Sequence, residues 1–322
     1  MAAMRSRYAG LAPFQYISDL ECHYNEPLER HTSMKMRSRA ALFAVAHTPR
    51  ALREVLRLAR RSSVPLYVLG GGTNTLFASS VFEGVVLKLG SAFMGIELEA
   101  PDRIRVGAGL EFKKAVSFSV ECGLSGLEFG TGIPGTIGGA AAGNAGCRGP
   151  EGTERGLCDV LDRLTCFDRA GGLWDVQHGE FQYAYRASEL REVVVIEAEM
   201  RLNPAAAEEI NKTLRHYRDK RKGQPYGLPS CGCIFKNPID PTTGRPVSAG
   251  KLIDEIGLKG YRLGGAEISD LHANFMVNIS TASAEDFLAL IRMTQDLIRQ
   301  RTGMDLDIEV QVVGGSLTHA IL

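Results

Sequence analysis

Gly123-Leu124-Ser125-Gly126-Leu127-Glu128-Phe129-Gly130-Thr131-Gly132-Ile133-Pro134-Gly135-Thr136-Ile137-Gly138-Gly139-Ala140-Ala141-Ala142-Gly143-Asn144-Ala145-Gly146 is a run with almost no side chain to pack. A glycine inside regular structure costs roughly 0.5–1 kcal/mol relative to alanine, so glycines this dense need a compensating benefit. Close backbone contact with a large flat or phosphorylated ligand supplies one, and Ile133, Pro134 and Ile137 restrict the run too much for a mere linker. A second glycine segment, Gly70-Gly71-Gly72-Thr73-Asn74, follows the apolar run Leu66-Tyr67-Val68-Leu69, which reads as a buried strand. Three successive glycines let the backbone adopt positive φ and turn consecutive amides toward one anion; a tight turn without a ligand is the alternative. The spacing is not GxGxxG, and no helix with a downstream acidic residue follows, which argues against a Rossmann fold.

Outward from these segments, residues 48–61 place Leu52, Val55, Leu56 and Ala59 on one face and predict an amphipathic helix. Strand-like runs follow at 85–89, 103–106, 161–167 and 193–199, with a short helix near 113–122. The first thirty residues read as irregular and polar. This part of the chain is α+β. After Asn203-Pro204 a charged helix over 206–222 opens what reads as a second domain, so the predicted division is 1–203 and 204–322. Beyond it come a helix at 249–256, a strand at 273–278 and a helix at 283–301, capped by Ser283 and Asp286 and stopped by Gly303. Alternation of Met304, Leu306, Ile308 and Val310 predicts a strand with Asp305, Asp307, Glu309 and Gln311 on its other face.

The composition excludes several classes of function. With 322 residues, 44% of them hydrophobic and 23% charged, the chain can bury a core and is neither disordered nor fibrous. Lysine plus arginine (37) balance aspartate plus glutamate (37), so no global field favours nucleic acid or an anionic membrane surface. No run approaches the roughly 20 apolar residues of a membrane span, and the first thirty residues lack the apolar core of a signal peptide; the expectation is a cytoplasmic protein. Seven scattered cysteines without a CxxC pair point to reduced thiols, with no metal site expected.

Six ordered motifs carry a resemblance over nearly the whole chain. They are Asn25-Glu26-Pro27-Leu28, Leu69-Gly70-Gly71-Gly72-Thr73-Asn74, Gly132-Ile133-Pro134-Gly135-Thr136-Ile137-Gly138-Gly139 and Tyr185-Arg186-Ala187-Ser188, then the segment 229–238 with 249–263, and finally 305–314. Together they resemble the UDP-N-acetylenolpyruvoylglucosamine reductase family, in its compact type without an extra tyrosine-bearing loop over the substrate. The resemblance implies an FAD-binding vanillyl-alcohol-oxidase (PCMH-type) fold of two subdomains, 1–203, followed by an α+β substrate-binding domain, 204–322. It also implies NADPH-dependent reduction of a UDP-linked N-acetylglucosamine enolpyruvyl ether to UDP-N-acetylmuramate, in peptidoglycan precursor synthesis. Gly70, Gly71, Gly72, Thr73 and Asn74 would line the FAD pyrophosphate; Gly132, Ile133, Pro134, Gly135, Thr136, Gly138 and Gly139 would pass along the flavin.

Adding hydride to an enol ether needs a donor on one face, an acid on the other, and a cation near the carboxylate where charge develops. By the resemblance these roles fall to the flavin, Cys233 and Arg186, with Glu309 beside the same centre. Arginine suits its role because it stays charged and donates in a fork. Cys233 stands where most members of the family carry serine; its thiol, with an ordinary pKa near 8.5, is a stronger acid than a hydroxyl. Lys236, Asn237 and Lys259 are the candidates for the UDP-sugar, with Arg221 and Lys222 as further cations. Arg37 and Arg39 stand where many members have glycines and are expected to crowd the cofactor. Two alternatives remain at this level: a related flavin oxidoreductase with another substrate, and an inactive nucleotide-sugar-binding homologue.

Overall fold

The computed structural model describes residues 9–314; residues 1–8 and 315–322 of the two assigned domains lie outside it. The first layer is built by strands β1 (Leu20–Pro27), β2 (Arg39–Ala46), β3 (Leu66–Val68) and β5 (Val81–Leu89), in the order β1-β2-β5-β3; β4 (Thr75–Phe77) turns out of this sheet. Strand β2 runs parallel to β5 and antiparallel to β1. Helix α1 (Pro49–Arg61) connects β2 to β3 and buries Leu52, Val55, Leu56 and Ala59, the face read from the sequence. Thr48 caps it by accepting the Ala51 N–H at 3.1 Å. Residues 9–30 are more regular than expected: Ala9–Tyr16 is a 3-10 turn and β1 is an edge strand. Its polar side chains hide it, because an edge strand needs no continuous apolar run.

The second subdomain is a five-stranded antiparallel sheet. Its strands are β6 (Ile96–Ala100), β7 (Arg103–Gly107), β8 (Leu161–Phe167), β9 (Leu173–Gln177) and β10 (Val194–Arg201), ordered β9-β8-β10-β7-β6. One face packs on α2 (Phe112–Glu121) and α3 (Ile137–Ala142) through Ile104, Val106, Phe112, Ile137, Ala141, Leu164 and Ala198. Helix α3 lies inside the glycine run, where glycine's poor helix propensity conceals it. Helix α4 (Ala207–Lys220), assigned from sequence to the C-terminal domain, sends Leu214 and Tyr217 into this same core.

The C-terminal layer contains β11 (Ser230–Cys233), α5 (Ala249–Glu255), β12 (Arg262–Leu263), β13 (Ala266–Ile268), β14 (Phe275–Asn278) and α6 (Ala284–Thr302), with sheet order β11-β14-β13-β12. Ser283 and Asp286 form a reciprocal capping box, and Gly303 ends α6 at φ 71°, as the sequence predicts. The strand predicted over 304–310 does not form. That segment makes one bridge, Ile308 to Phe235, before β15 (Gln311–Val313) pairs parallel with β4. The last strand of the described residues is thereby stitched to the first layer, and the stitch positions the site.

Candidate active site

A cleft of about 1850 Å³ runs between the three layers, lined by both glycine segments, by residues 220–221 and 224–233 and by Glu309. Ligand pockets usually span about 300–1,000 Å³, so this one has room for two large ligands end to end. A smaller apolar groove of about 670 Å³ beside α1 contains none of the candidate site residues.

All twelve residues assigned to the cofactor line the cleft: Gly70, Gly71, Gly72, Thr73, Asn74, Gly132, Ile133, Pro134, Gly135, Thr136, Gly138 and Gly139. The two segments meet because both are bare. A Cβ on Gly71 would fall 2.6 Å from the Gly135 Cα, and Thr73 donates from Oγ1 to the Pro134 carbonyl at 3.2 Å. On the cleft side, a Cβ on Gly139 or Gly143 would meet nothing closer than 3.5 Å, so these glycines offer open backbone to the cavity. Among the described residues, no hydrogen bond runs from the N–H groups of residues 70–74 to a protein acceptor. A smooth wall beside unspent amides fits a flat ring system joined to a diphosphate, and FAD is such a molecule. Arg37 and Arg39 do not crowd it. Arg37 is exposed and Arg39 is turned to Asn25, bonding its Oδ1 at 2.7 Å, and neither lines the cleft.

Arg186, Glu309 and Cys233 line the same cleft. Residues Tyr183–Ala184 pair with Ala187–Ser188, leaving Tyr185 and Arg186 as a two-residue hairpin tip, with Arg186 at φ 57°. A left-handed backbone is strained for arginine. Its side chain bonds the Gly146 carbonyl at 2.9 Å, and its Nε lies 2.9 Å from Glu309 Oε1. Glu309 is held from both sides of the cleft: its N–H donates to the Ile234 carbonyl at 2.7 Å, and its carbonyl accepts from Asn74 Nδ2 at 3.2 Å. Asn74 therefore links the glycine loop to the catalytic candidate. Cys233 ends β11 after Gly232 at φ 81° and an irregularity in the ladder, partly buried in the cleft wall.

The electrostatics are those of a desolvated site. Burial pushes the Glu309 carboxyl above its ordinary value, and Arg186, then Lys236 and Arg191, draw it back only in part. Burial would lower Arg186, but Glu309, Tyr185 and Cys233 together outweigh it and raise its proton affinity. The two directions favour different states of Glu309, neutral in the first and ionised in the second. The guanidinium decides, because arginine keeps its proton in proteins; the pair is a fixed cation facing a carboxyl with heightened proton affinity. Burial, reinforced by Glu309, pushes the Cys233 thiol to about 12 against the pull of Arg186 and Arg221. It remains a protonated donor at neutral pH, with much of the acidity expected of a free thiol removed.

The three candidates for the sugar nucleotide do not line the cleft. Lys259 is engaged with Asp254 at 2.7 Å, and Asn237 accepts the Ala249 N–H at 3.0 Å at the start of α5. Lys236 acts on the site through its field at Glu309. Lys222 pairs with the exposed Asp219. Arg221 does line the cleft, and its Nε is buried without a partner among the described residues. Sequence reasoning missed Arg191, Tyr67 and Tyr226, which also line it. Among the described residues, no group of three or more His, Cys, Asp or Glu is placed to hold a metal ion.

Residues 224–313 match the family model described as UDP-N-acetylenolpyruvoylglucosamine reductase, C-terminal domain, and residues 40–177 match a model described as FAD binding domain. The chain is 36% identical over 296 residues to UDP-N-acetylenolpyruvoylglucosamine reductase of Bacillus subtilis, covering 91% of this chain and 94% of that protein. It is 37% identical over 296 residues to the enzyme of the same name from Geotalea uraniireducens, with the same coverage. The crystal structure of UDP-N-acetylenolpyruvylglucosamine reductase from Thermus caldophilus superposes with a TM-score of 0.75 at 33% identity, covering 91% of this chain and 98% of that one.

Proposed function

The chain belongs to the UDP-N-acetylenolpyruvoylglucosamine reductase family, and from that membership we propose how its own residues divide the work. The protein is an FAD-containing oxidoreductase with the PCMH-type flavin fold. It reduces UDP-N-acetylglucosamine enolpyruvate to UDP-N-acetylmuramate with NADPH, in the synthesis of peptidoglycan precursors. The flavin-binding part is assigned to 1–203 and the substrate-binding part to 204–322, with α4 as a connecting helix docked back onto the flavin half. Reduced thiols accord with the seven free cysteines and with a cytoplasmic setting. The partners in this reading are small molecules, with neither nucleic acid nor membrane.

Residues 70–74 and the cleft-lining positions between 132 and 139 would hold FAD, which when bound supplies the hydride it takes from NADPH. Arg186 binds the carboxylate of the enolpyruvyl group and neutralises the charge that develops there. Glu309 orients the Arg186 guanidinium through its Oε1, and burial raises the proton affinity of that carboxyl beside the reacting centre. Cys233 delivers the proton on Sγ to the carbon next to the carboxylate, and Arg186 and Arg221 face the thiolate left behind until solvent reprotonates it.

The observation that carries this reading is the 2.9 Å pairing of Arg186 with Glu309 in the same cleft wall as Cys233. Cys233→Ala is expected to leave flavin reduction by NADPH unchanged while slowing substrate-dependent reoxidation by about 10²-fold. Cys233→Ser should recover most of that loss. Equal rates in both half-reactions of the alanine variant would refute the proton-donor role.

A further inference from the structure

Arg186 does its work from a backbone conformation that arginine disfavours, so something must hold the hairpin tip in place. The residue that touches it is Arg191, in the turn following the hairpin. Its Nη2 donates to the Arg186 carbonyl at 2.9 Å, and its Nε donates to the Ala142 carbonyl, at the last residue of α3, also at 2.9 Å. One planar guanidinium thus spans the strained peptide and the glycine-rich helix of the flavin wall. Arg191 is partly buried, lines the cleft, and has no carboxylate partner among the ion pairs of the described residues. A surface arginine making generic contacts would not spend two donors on carbonyls from separate elements.

We propose that Arg191 is a positioning residue for the reaction, fixing the Arg186 peptide so that the Arg186 guanidinium points at the substrate carboxylate and at Glu309. The proposal rests on the roles assigned above to Arg186 and Glu309. Lysine cannot replace Arg191, because a single ammonium on a flexible stem lacks the fork that bridges two fixed carbonyls. If the tip relaxes, Arg186 withdraws and Glu309 loses the nearest charge that opposes its burial. The groups facing Glu309 are the cations Arg186, Lys236 and Arg191 and the acids Cys233, Cys231 and Tyr185.

The test uses flavin-loaded Arg191→Met and Arg191→Lys, with half-reactions followed separately by stopped flow. In the methionine variant, flavin reduction by NADPH should stay within about twofold of the parent, while substrate-dependent reoxidation falls by about 10²-fold, the scale of a misplaced catalytic group. The acid limb of the pH profile for the second half-reaction should move to higher pH. Arg191→Lys should lose about tenfold in the same half-reaction and serves if the methionine variant does not fold. Parent-like reoxidation in either variant or equal losses in both half-reactions would overturn the proposal, and so would a fixed acid limb where Glu309→Gln removes that limb. Glu309→Gln is the control that separates the two layers of argument. If it leaves the acid limb in place, the assignment of that limb to Glu309 is wrong; the selective loss in the Arg191 variants then still decides the positioning role.

Discussion

Arg105 and Arg186 are both arginines in ion pairs, on opposite sides of the same subdomain. Arg105 stands on the sheet face turned away from the core, contacting Glu99 and lying 3.0 Å from Glu97, 3.7 Å from Glu197 and 3.8 Å from Glu199. Arg163 joins this network through Asp175 and Glu199. Arg186 has one carboxylate, Glu309, and sits in a cleft. A cation among several carboxylates at a watered surface has its charge spent many times over, and losing one contact costs little. A cation with one partner in a desolvated cleft keeps donors free for a ligand, and its field is less screened. Their surroundings, rather than their chemistry, make one arginine a structural brace and the other a candidate for catalysis.

Exchanging each arginine for methionine tests that contrast most strongly. Arg186→Met should slow substrate-dependent flavin reoxidation by about 10³-fold, as loss of a group aimed at developing charge does, while urea unfolding stays close to the parent. Arg105→Met should do the reverse: turnover within about twofold of the parent and a stability loss of up to about 1 kcal/mol, since Glu99 and Glu199 lose their shared cation. Similar activity losses in both variants would remove the distinction.

Thiol chemistry sharpens the cleft side of the comparison. With a pKa of about 12, Cys233 carries few thiolates at pH 8. The greater nucleophilicity of each such thiolate offsets only part of this, which leaves a deficit of about 10²-fold against an ordinary thiol. Iodoacetamide should therefore label the Cys233 peptide about 10²-fold more slowly in the folded protein than in urea, as read by mass spectrometry. Because this pKa is raised in the fold, its contribution to stability is complete below the ordinary thiol value and is lost as pH rises toward 12. Equal labelling rates would mean that the sulfur is solvated.

The sequence made the glycine segments legible as ligand-facing backbone because their lack of side chains has no good explanation in packing. Helix α3 was hidden in one of them for the same reason, since Gly138 and Gly139 depress the propensity that would announce a helix. Alternation over 304–310 misled: Leu306 and Val310 are buried, but in a loop that crosses between layers, and spacing cannot tell a strand from a crossing segment. Arg186, Cys233 and Glu309 were legible only through family motifs. They come from a hairpin tip, a strand end and a crossing loop, and nothing local records that these meet. Arg191 left no signal at all, because its importance lies in two carbonyls, and carbonyls are the same at every position. Asn237 and Lys259 show the converse: polar residues in a motif that the fold spends on a helix start and on an ion pair.

The smallest effect expected is also the one that opposes the two regions in sign. On the sheet face, hydrogen bonds from Arg163 and then Thr165 hold the Asp175 carboxyl below its ordinary value, although burial pushes the neighbouring Glu197 upward. A lowered carboxyl contributes stability above its unfolded value, near 3.9 for aspartate, and that contribution disappears as pH falls through the folded value. Glu309 runs the other way. Raised by burial, it favours the fold below the unfolded glutamate value, near 4.3, and that contribution disappears as pH rises through its folded value. Arg163→Met should thus flatten the loss of stability below about pH 4, whereas Glu309→Gln should be slightly more stable than the parent at neutral pH and lose the advantage in acid. Urea denaturation midpoints across this range separate the cases. A Glu309→Gln variant less stable than the parent at neutral pH would mean that the pairing with Arg186 outweighs desolvation, and the cleft pair would then belong with the braces of the sheet face.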